Sequence, residues 1–292
     1  MNKSISAFLH DFKKNGVICV PDFLGTNEIA AIKDEIHPWL NHVSSNGHLS
    51  SMIVGNNQWI EHLGLCSNSA LQTILNKEFI DLAESYFNEE VVLGTFQFQK
   101  KILSEKNGLP LHMDKGKGIH FFIYLTEVTE ASGTTVFLKG SHLKKPEEEM
   151  ISRGVADELY LSSPLKNQEC SELKAYGGPG SLVVWERGVW HELPGYSQPG
   201  RELIMASLIP KSAAEDSKNH LFSSLNLSKL NAKQLSVCVN DSVNKVSKSL
   251  MKLGEDSSAQ DDYKISKLRM WVYYIRFKFL GILKTFALRI FP

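Results

Sequence analysis

The sequence predicts an α+β protein in which a largely helical first hundred residues precede an array of short β-strands and a helical C-terminal appendage. Three observations carry that prediction. Apolar residues recur at helical spacing ahead of residue 90, and from Val91 short runs rich in Val, Ile, Phe and Thr alternate with clusters of Gly, Pro, Ser and Asn. After Pro210 the β texture stops.

Ile5 to Lys14 has the spacing of an amphipathic helix, and Gly16 to Val20 is β-rich and ends at Pro21. Thr26 offers an N-cap for a helix from Asn27 to about Val43, and Asn68 or Ser69 can cap another running to about Phe87. The β-runs are VVLGTFQFQKKIL, IHFFIYLTEV, TTVFL, SLVVWE and ELIMASLI. Several short strands separated by turn signals suggest a sandwich or a jelly roll. Lys211 to Asp262 is polar, with weak helical periodicity around Leu225 to Val239, and Gly254 to Asp262 reads as a linker. The expected organisation is one catalytic-sized body over 1–210, a polar helical and linker segment over 211–262, and a basic amphipathic helix over 263–292.

With 292 residues the chain is long enough to bury a sizeable core, and its ordinary apolar content excludes wholesale disorder, collagen and a polytopic membrane protein. Lys plus Arg and Asp plus Glu are both 32, so no general field favours nucleic acid. Cys19, Cys66, Cys170 and Cys238 lie far apart with no C-x-x-C pair, which reads as reduced thiols rather than a zinc knuckle or disulfide framework. The N-terminus lacks the apolar run of a secretory signal, so a cytoplasmic location is expected. Basic residues interrupt the apolar C-terminus, and no stretch matches a membrane span.

The sharpest constellation is His112-Met-Asp114, with His191 following 77 residues after the Asp. Side chains two apart in a strand share a face, so His112 and Asp114 can converge on one atom while Met113 turns away. Two imidazoles and a carboxylate with open positions are the ligand set of a non-haem Fe(II) oxygenase. Arg201 comes ten residues after His191, at the head of a strand. There a guanidinium could pair bidentately with a carboxylate. A metal triad beside such an arginine implies a co-substrate with a carboxylate at each end, which 2-oxoglutarate is.

The chain resembles the phytanoyl-CoA dioxygenase-like family of Fe(II)/2-oxoglutarate-dependent oxygenases from about Phe12 to Pro210. The resemblance lies in FKKNGVICVPDFLGTNEIAAIKDEI, in GLPLHMDKGKGIHFFIYLTEVTEASGTTVFLKGSH and in GPGSLVVWERGVWHELPGYSQPGRELIMASLIP. It implies a double-stranded β-helix (jelly roll, cupin-like), with iron on His112, Asp114 and His191 and the distal carboxylate of 2-oxoglutarate on Arg201. Gln97, Gln99, Lys101 and Thr135 are the family-based candidates for further co-substrate contacts. O2 is the other co-substrate, succinate and CO2 are released, and a C–H bond of the substrate is oxidised. Halogenating relatives replace the carboxylate ligand by a small residue, so Asp114 favours hydroxylation or another oxidation. The substrate class stays open between a soluble metabolite, an acyl thioester and a lipid-linked molecule such as a lipopolysaccharide sugar. Alternatives are a non-catalytic jelly roll that recruits a ligand to a membrane, and a metal-dependent cupin without co-substrate.

The bland readings stand beside these. His10, His37, His42, His48, His62 and His220 read as ordinary core or surface residues, while His120 and His142 read as orienting their neighbours by hydrogen bonds. Trp185 suits the core at least as well as a substrate cleft. Gly177 to Gly180 reads as the turn starting the strand that carries His191, and Lys115 and Lys117 as solvated loop lysines.

Residues 263–292 hold seven basic residues and no acid, so the neutral total conceals a body of charge −7 and a tail of +7. Leu268, Trp271, Val272, Ile275, Phe279, Ile282, Leu283, Phe286 and Ile290 follow helical spacing. An aromatic and cationic helix suits either the inner, anionic face of a membrane or docking on the body. Deleting 263–292 is expected to release the protein from anionic liposomes in a flotation assay; a full-length chain that never binds them decides for docking.

Overall fold

The structure, a computed structural model, describes residues 8–40, 52–54, 56–114, 116–144, 151–153, 159–161, 170–216 and 224–238. The linker expected at Gly254 to Asp262 and the basic helix over 263–292 lie outside them, as does Lys115.

The N-terminal layer is helical. Helix α1 (Leu9–Asn15) stops at Gly16, whose left-handed φ of 70° turns the chain into strand β1 (Val17–Val20). Helix α2 (Thr26–Leu40) buries Ile29, Ile32 and Ile36, three positions on one stripe. A hairpin of β2 (Met52–Val54) and β3 (Asn57–Ile60) and a single turn, α3 (Leu63–Cys66), follow. The sequence signals for these three were too short to be separated from loop.

The single helix expected up to Phe87 is two helices. Ser67, one residue ahead of the expected caps, accepts a hydrogen bond from Ala70 N and starts α4 (Asn68–Ile74). The chain then breaks at Leu75, and the Asn76 side chain accepts from Glu78 N to start α5 (Lys77–Phe87). An asparagine oxygen competes with the helical carbonyls for the backbone N–H, and here it opens a new helix rather than continuing the old one.

The β-region is β4 (Val91–Lys101), β5 (Leu109–Met113), β6 (Ile119–Tyr124), β7 (Val136–Leu138), β8 (Ile151–Arg153), β9 (Leu159–Leu161), β10 (Glu172–Lys174), β11 (Leu182–Glu186), β12 (His191–Leu193) and β13 (Glu202–Pro210). They form one sheet in the order β1-β11-β6-β13-β4-β3-β2 and another in the order β10-β7-β12-β5-β9-β8. The pairings are antiparallel, and Phe137 of the second sheet packs on Trp185 of the first with ring centroids 5.3 Å apart. Two such sheets face to face are the double-stranded β-helix that the resemblance implied. Gly177 to Gly180 starts β11, not the strand of His191, which is β12. Gly180 is needed there, because a Cβ would lie 2.3 Å from the Leu24 carbonyl oxygen.

The larger sheet is buried on both faces, which is why its strands carry apolar runs. Phe96, Phe98, Phe121, Ile204, Ala206 and Leu208 face the helices, where Phe79 of α5 meets Phe121 edge-on at 4.7 Å and Phe23 at 5.4 Å. Residues 224–238 form α6 (Ser224–Leu227) and α7 (Ala232–Cys238), which join this core through Leu230, Val237 and Cys238. Asn226 Nδ2 donates to the Gly64 carbonyl at 2.9 Å and Gln234 Nε2 to that of Leu75 at 3.0 Å, closing the helix termini of α3 and α4. All four cysteines are unpaired, and burial pushes the Cys19, Cys66 and Cys238 thiols up to about 12. Among the described residues no helix is long and apolar enough to cross a membrane.

Phe79 joins the helices to the larger sheet, so Phe79→Ala is expected to cost about 3–5 kcal/mol in urea unfolding. A cost below about 1 kcal/mol would mean that the helical layer is not fixed there.

Candidate metal centre

The inner face of the larger sheet is unusual for a core. On β4 the polar side chains of Thr95, Gln97, Gln99 and Lys101 alternate with Phe96 and Phe98, and it is the phenylalanines that face the helices. The polar four are 4–9% exposed, and they share the interior with Met205 and Ser207 of β13 and His120 and Phe122 of β6. Buried polar side chains without strong partners cost free energy. Here Gln97 and Gln99 both direct their amide N–H groups at the Met205 sulfur, 3.3 and 3.2 Å away, and a thioether is a weak acceptor.

His112 on β5 and His191 on β12 are direct partners in the antiparallel register, with ring centroids 4.2 Å apart. Asp114 stands one residue beyond β5 and reaches the same point. The three side chains bring one ligand atom each to within 4.8 Å of one another. The Pro110 carbonyl accepts from His112 Nδ1 at 2.8 Å and the Val189 carbonyl from His191 Nδ1 at 2.9 Å. A carbonyl can only accept, so both Nδ1 atoms carry the proton, which leaves Nε2 as the ring nitrogen that can act as a ligand.

Burial pushes the His191 imidazole down to about 4, so it is neutral at pH 7. Burial alone would raise Asp114. The hydrogen bond from His120 outweighs it and holds the carboxyl well below the usual range. Two imidazoles and one carboxylate fit a divalent first-row metal ion of the non-haem iron type.

Arg201 is buried ahead of β13, and its Nη1 donates to the Gly133 carbonyl. Lys101 Nζ lies 5.1 Å from the centroid of the Tyr196 ring, and burial together with the Arg201 charge pushes the Lys101 amine down to about 7. Among the described residues no carboxylate lies within ion-pair distance of either cation. The buried Tyr196 hydroxyl has no hydrogen-bond partner among them. Two basic side chains and a hydroxyl without a partner among the described residues thus share one buried cluster.

A family signature described as phytanoyl-CoA dioxygenase (PhyH) matches residues 12–192, more than half of the chain. The chain belongs to the phytanoyl-CoA dioxygenase family. That makes it an enzyme of the Fe(II)- and 2-oxoglutarate-dependent kind. No curated protein matches it. Among solved structures, the epimerase SnoN in complex with Fe3+, alpha ketoglutarate and nogalamycin RO is similar at a TM-score of 0.58 and 16% identity, over 70% of this chain and 83% of that one. The non-heme alpha ketoglutarate dependent carbocyclase SnoK from nogalamycin biosynthesis follows at 0.52 and 16%, over 72% and 85%. AviO1 from Streptomyces viridochromogenes Tue57 has 0.51 and 15%, over 70% and 94%. At these identities the likeness shows a shared fold.

Thr135 is buried one residue ahead of β7, two residues from the Gly133 carbonyl that holds Arg201. Trp185 is core: it stacks on His120 at 4.9 Å and meets Phe122 at 4.3 Å. Lys117 is exposed. His142 bonds the Lys13 carbonyl at 3.2 Å, an orienting contact as expected. Sequence reasoning missed Tyr196, which lies in the polar loop between His191 and Arg201. It also missed Ser141, although Lys-Gly-Ser-His was in view. The Trp190 N–H donates to Ser141 Oγ at 2.9 Å, which fixes the backbone immediately ahead of His191.

Ser141→Ala would leave that buried N–H unpaired, at a cost of about 1–3 kcal/mol. Urea unfolding is expected to show the loss, and titration with Mn(II) a weaker site; a stability equal to wild type removes Ser141 from the support of His191.

Proposed function

We propose that this chain is a hydroxylase: it inserts one oxygen atom of O2 into an unactivated C–H bond of a small-molecule or lipid-linked substrate while 2-oxoglutarate becomes succinate and CO2. The observation that carries the reading is the placement of two imidazoles and an ionised carboxylate around one point, in the same buried interior as Lys101 and Arg201.

His112, Asp114 and His191 would hold Fe(II) through two Nε2 atoms and a carboxylate oxygen. When bound, the iron supplies oxygen activation coupled to oxidative decarboxylation, chemistry that no protein side chain has. Arg201 and Lys101 bind the distal carboxylate of 2-oxoglutarate, with Gln99 and Thr135 as further contacts. Trp185, Phe122 and Phe137 wall the interior and keep water away. Asp114 fills the position that a halide would need, which favours oxygen transfer over halogenation.

The acidic body and the cationic, aromatic tail support an amphiphilic substrate met at an anionic lipid surface, a lipopolysaccharide sugar being one example. An epimerase and a carbocyclase share the fold, so the product has to be read as well as the turnover.

Succinate should form in proportion to 2-oxoglutarate consumed and only with Fe(II), and mass spectrometry of a lipid and metabolite extract should show a gain of one oxygen. His112→Ala and Asp114→Ala are expected to lower succinate formation at least about 100-fold. Arg201→Ala should raise the 2-oxoglutarate concentration for half-maximal rate at least tenfold, about 1.4 kcal/mol. Unchanged turnover in either ligand variant overturns the site. Turnover with a product of unchanged mass replaces hydroxylation by isomerisation, and binding without any succinate leaves a non-catalytic jelly roll.

A further inference from the structure

The register of β5 fixes His112 but not Asp114. The last ladder pair of β5 is Met113 with Leu159, and the carboxylate hangs from the residue beyond it. Something other than the sheet has to set the direction of that side chain. His120 is placed to do so. It sits on the inner face of β6, 3% exposed, and its Nε2 lies 3.3 Å from Asp114 Oδ2. Its ring is immobilised by stacking on Trp185, its register partner on β11, at 4.9 Å and 18°. Arg187, just past β11, directs Nε at the same His120 Nε2 from 3.0 Å.

We propose that His120 is the positioning residue of the metal centre: it holds Oδ2 of Asp114, so that Oδ1 alone is offered to the metal ion. This rests on the reading of His112, Asp114 and His191 as ligands. One ring nitrogen serves one neighbour at a time. With its proton on Nδ1 the ring accepts from Arg187, and with its proton on Nε2 it donates to Asp114. The hold on Oδ2 belongs to the Nε2–H tautomer, in which the 3.3 Å contact is a donated hydrogen bond. A carboxylate that bound through both oxygens would occupy one more coordination position, and the two-histidine, one-carboxylate set works because positions stay open for co-substrate and O2. Partners behind a ligand commonly change metal affinity 10–100-fold.

Two substitutions separate positioning from packing, because they rank in opposite order. His120→Phe keeps a ring against Trp185 and removes the nitrogens; His120→Gln gives up the stack and restores an N–H donor. Mn(II) binding to the metal-free proteins, followed by the electron paramagnetic resonance signal of the free ion, reads affinity without turnover. Positioning predicts at least about tenfold weaker binding for His120→Phe and recovery to within about threefold of wild type for His120→Gln. Wild-type affinity in His120→Phe, or equal loss in both variants, overturns the proposal. If the phenylalanine variant does not fold, the glutamine variant decides alone, since a folded protein that has lost Mn(II) contradicts the role. A wild-type chain that does not bind Mn(II) brings down the ligand assignment itself, a result distinct from one in which wild type and His120→Phe bind alike.

Discussion

The antiparallel pairing of β5 with β12 sets His112 opposite His191, and the rest of the centre is arranged around that single register. A slip of one residue in either strand would turn one imidazole to the other face of the sheet and leave no pair. Several independent contacts hold the register. β12 is also paired with β7, and the turn before it is fixed through Ser141 and the bond from Leu138 N to the Trp190 carbonyl. The chemistry of the site is therefore a property of strand alignment first and of side-chain identity second.

The same interior carries the main energetic conflict in the fold. Gln97, Gln99, Lys101, Arg201 and the Tyr196 hydroxyl are buried where an ordinary core would be apolar. Burial disfavours the charged form of the Lys101 amine, and the nearby Arg201 charge adds to the cost, which is why the amine is pushed down. The opposite face of the sheet offsets this with a dense apolar layer built on Phe79, Phe96, Phe98 and Phe121. Apolar packing and buried polar side chains are thus divided between the two faces of one sheet. The Glu202 carboxylate, bonded to Lys100 at 2.7 Å and near His37 at 3.1 Å, fixes the strand end next to Arg201 from the stable side.

Much of this was legible in the chain. The strands β4, β6, β7, β11 and β13 declared themselves as apolar and β-branched runs, whereas β5, β8, β9, β10 and β12 of the smaller sheet are too short or too polar to form such runs. H-x-D drew attention to His112 and Asp114 through strand alternation, but the strand ends at Met113 and Asp114 reaches the cluster from the residue beyond it. The helix break at Leu75 was not, since Asn76 tolerates helix and cap alike and only the geometry of the next helix chooses. The β2–β3 hairpin was too short to stand out, and it gains its stability by pairing with β4. Tyr196 carries no signal of its own in the polar loop between His191 and Arg201. It becomes a site residue only because Gly133 leaves room for its ring and its backbone bonds with Glu105 set the loop.

The sequence by itself determined the fold class, the ligand types, Arg201 as the buried cation and the opposed charges of body and tail. Those are consequences of periodicity, spacing and residue chemistry, which act over a few neighbours. Only the tertiary structure decided which groups meet: His120 against Asp114, Lys101 against Tyr196, Ser141 beneath His191, and residues 224–238 against the helical layer. These contacts join positions far apart in the chain, and their partners are chosen by strand register and by what space the packing leaves, which no local pattern encodes.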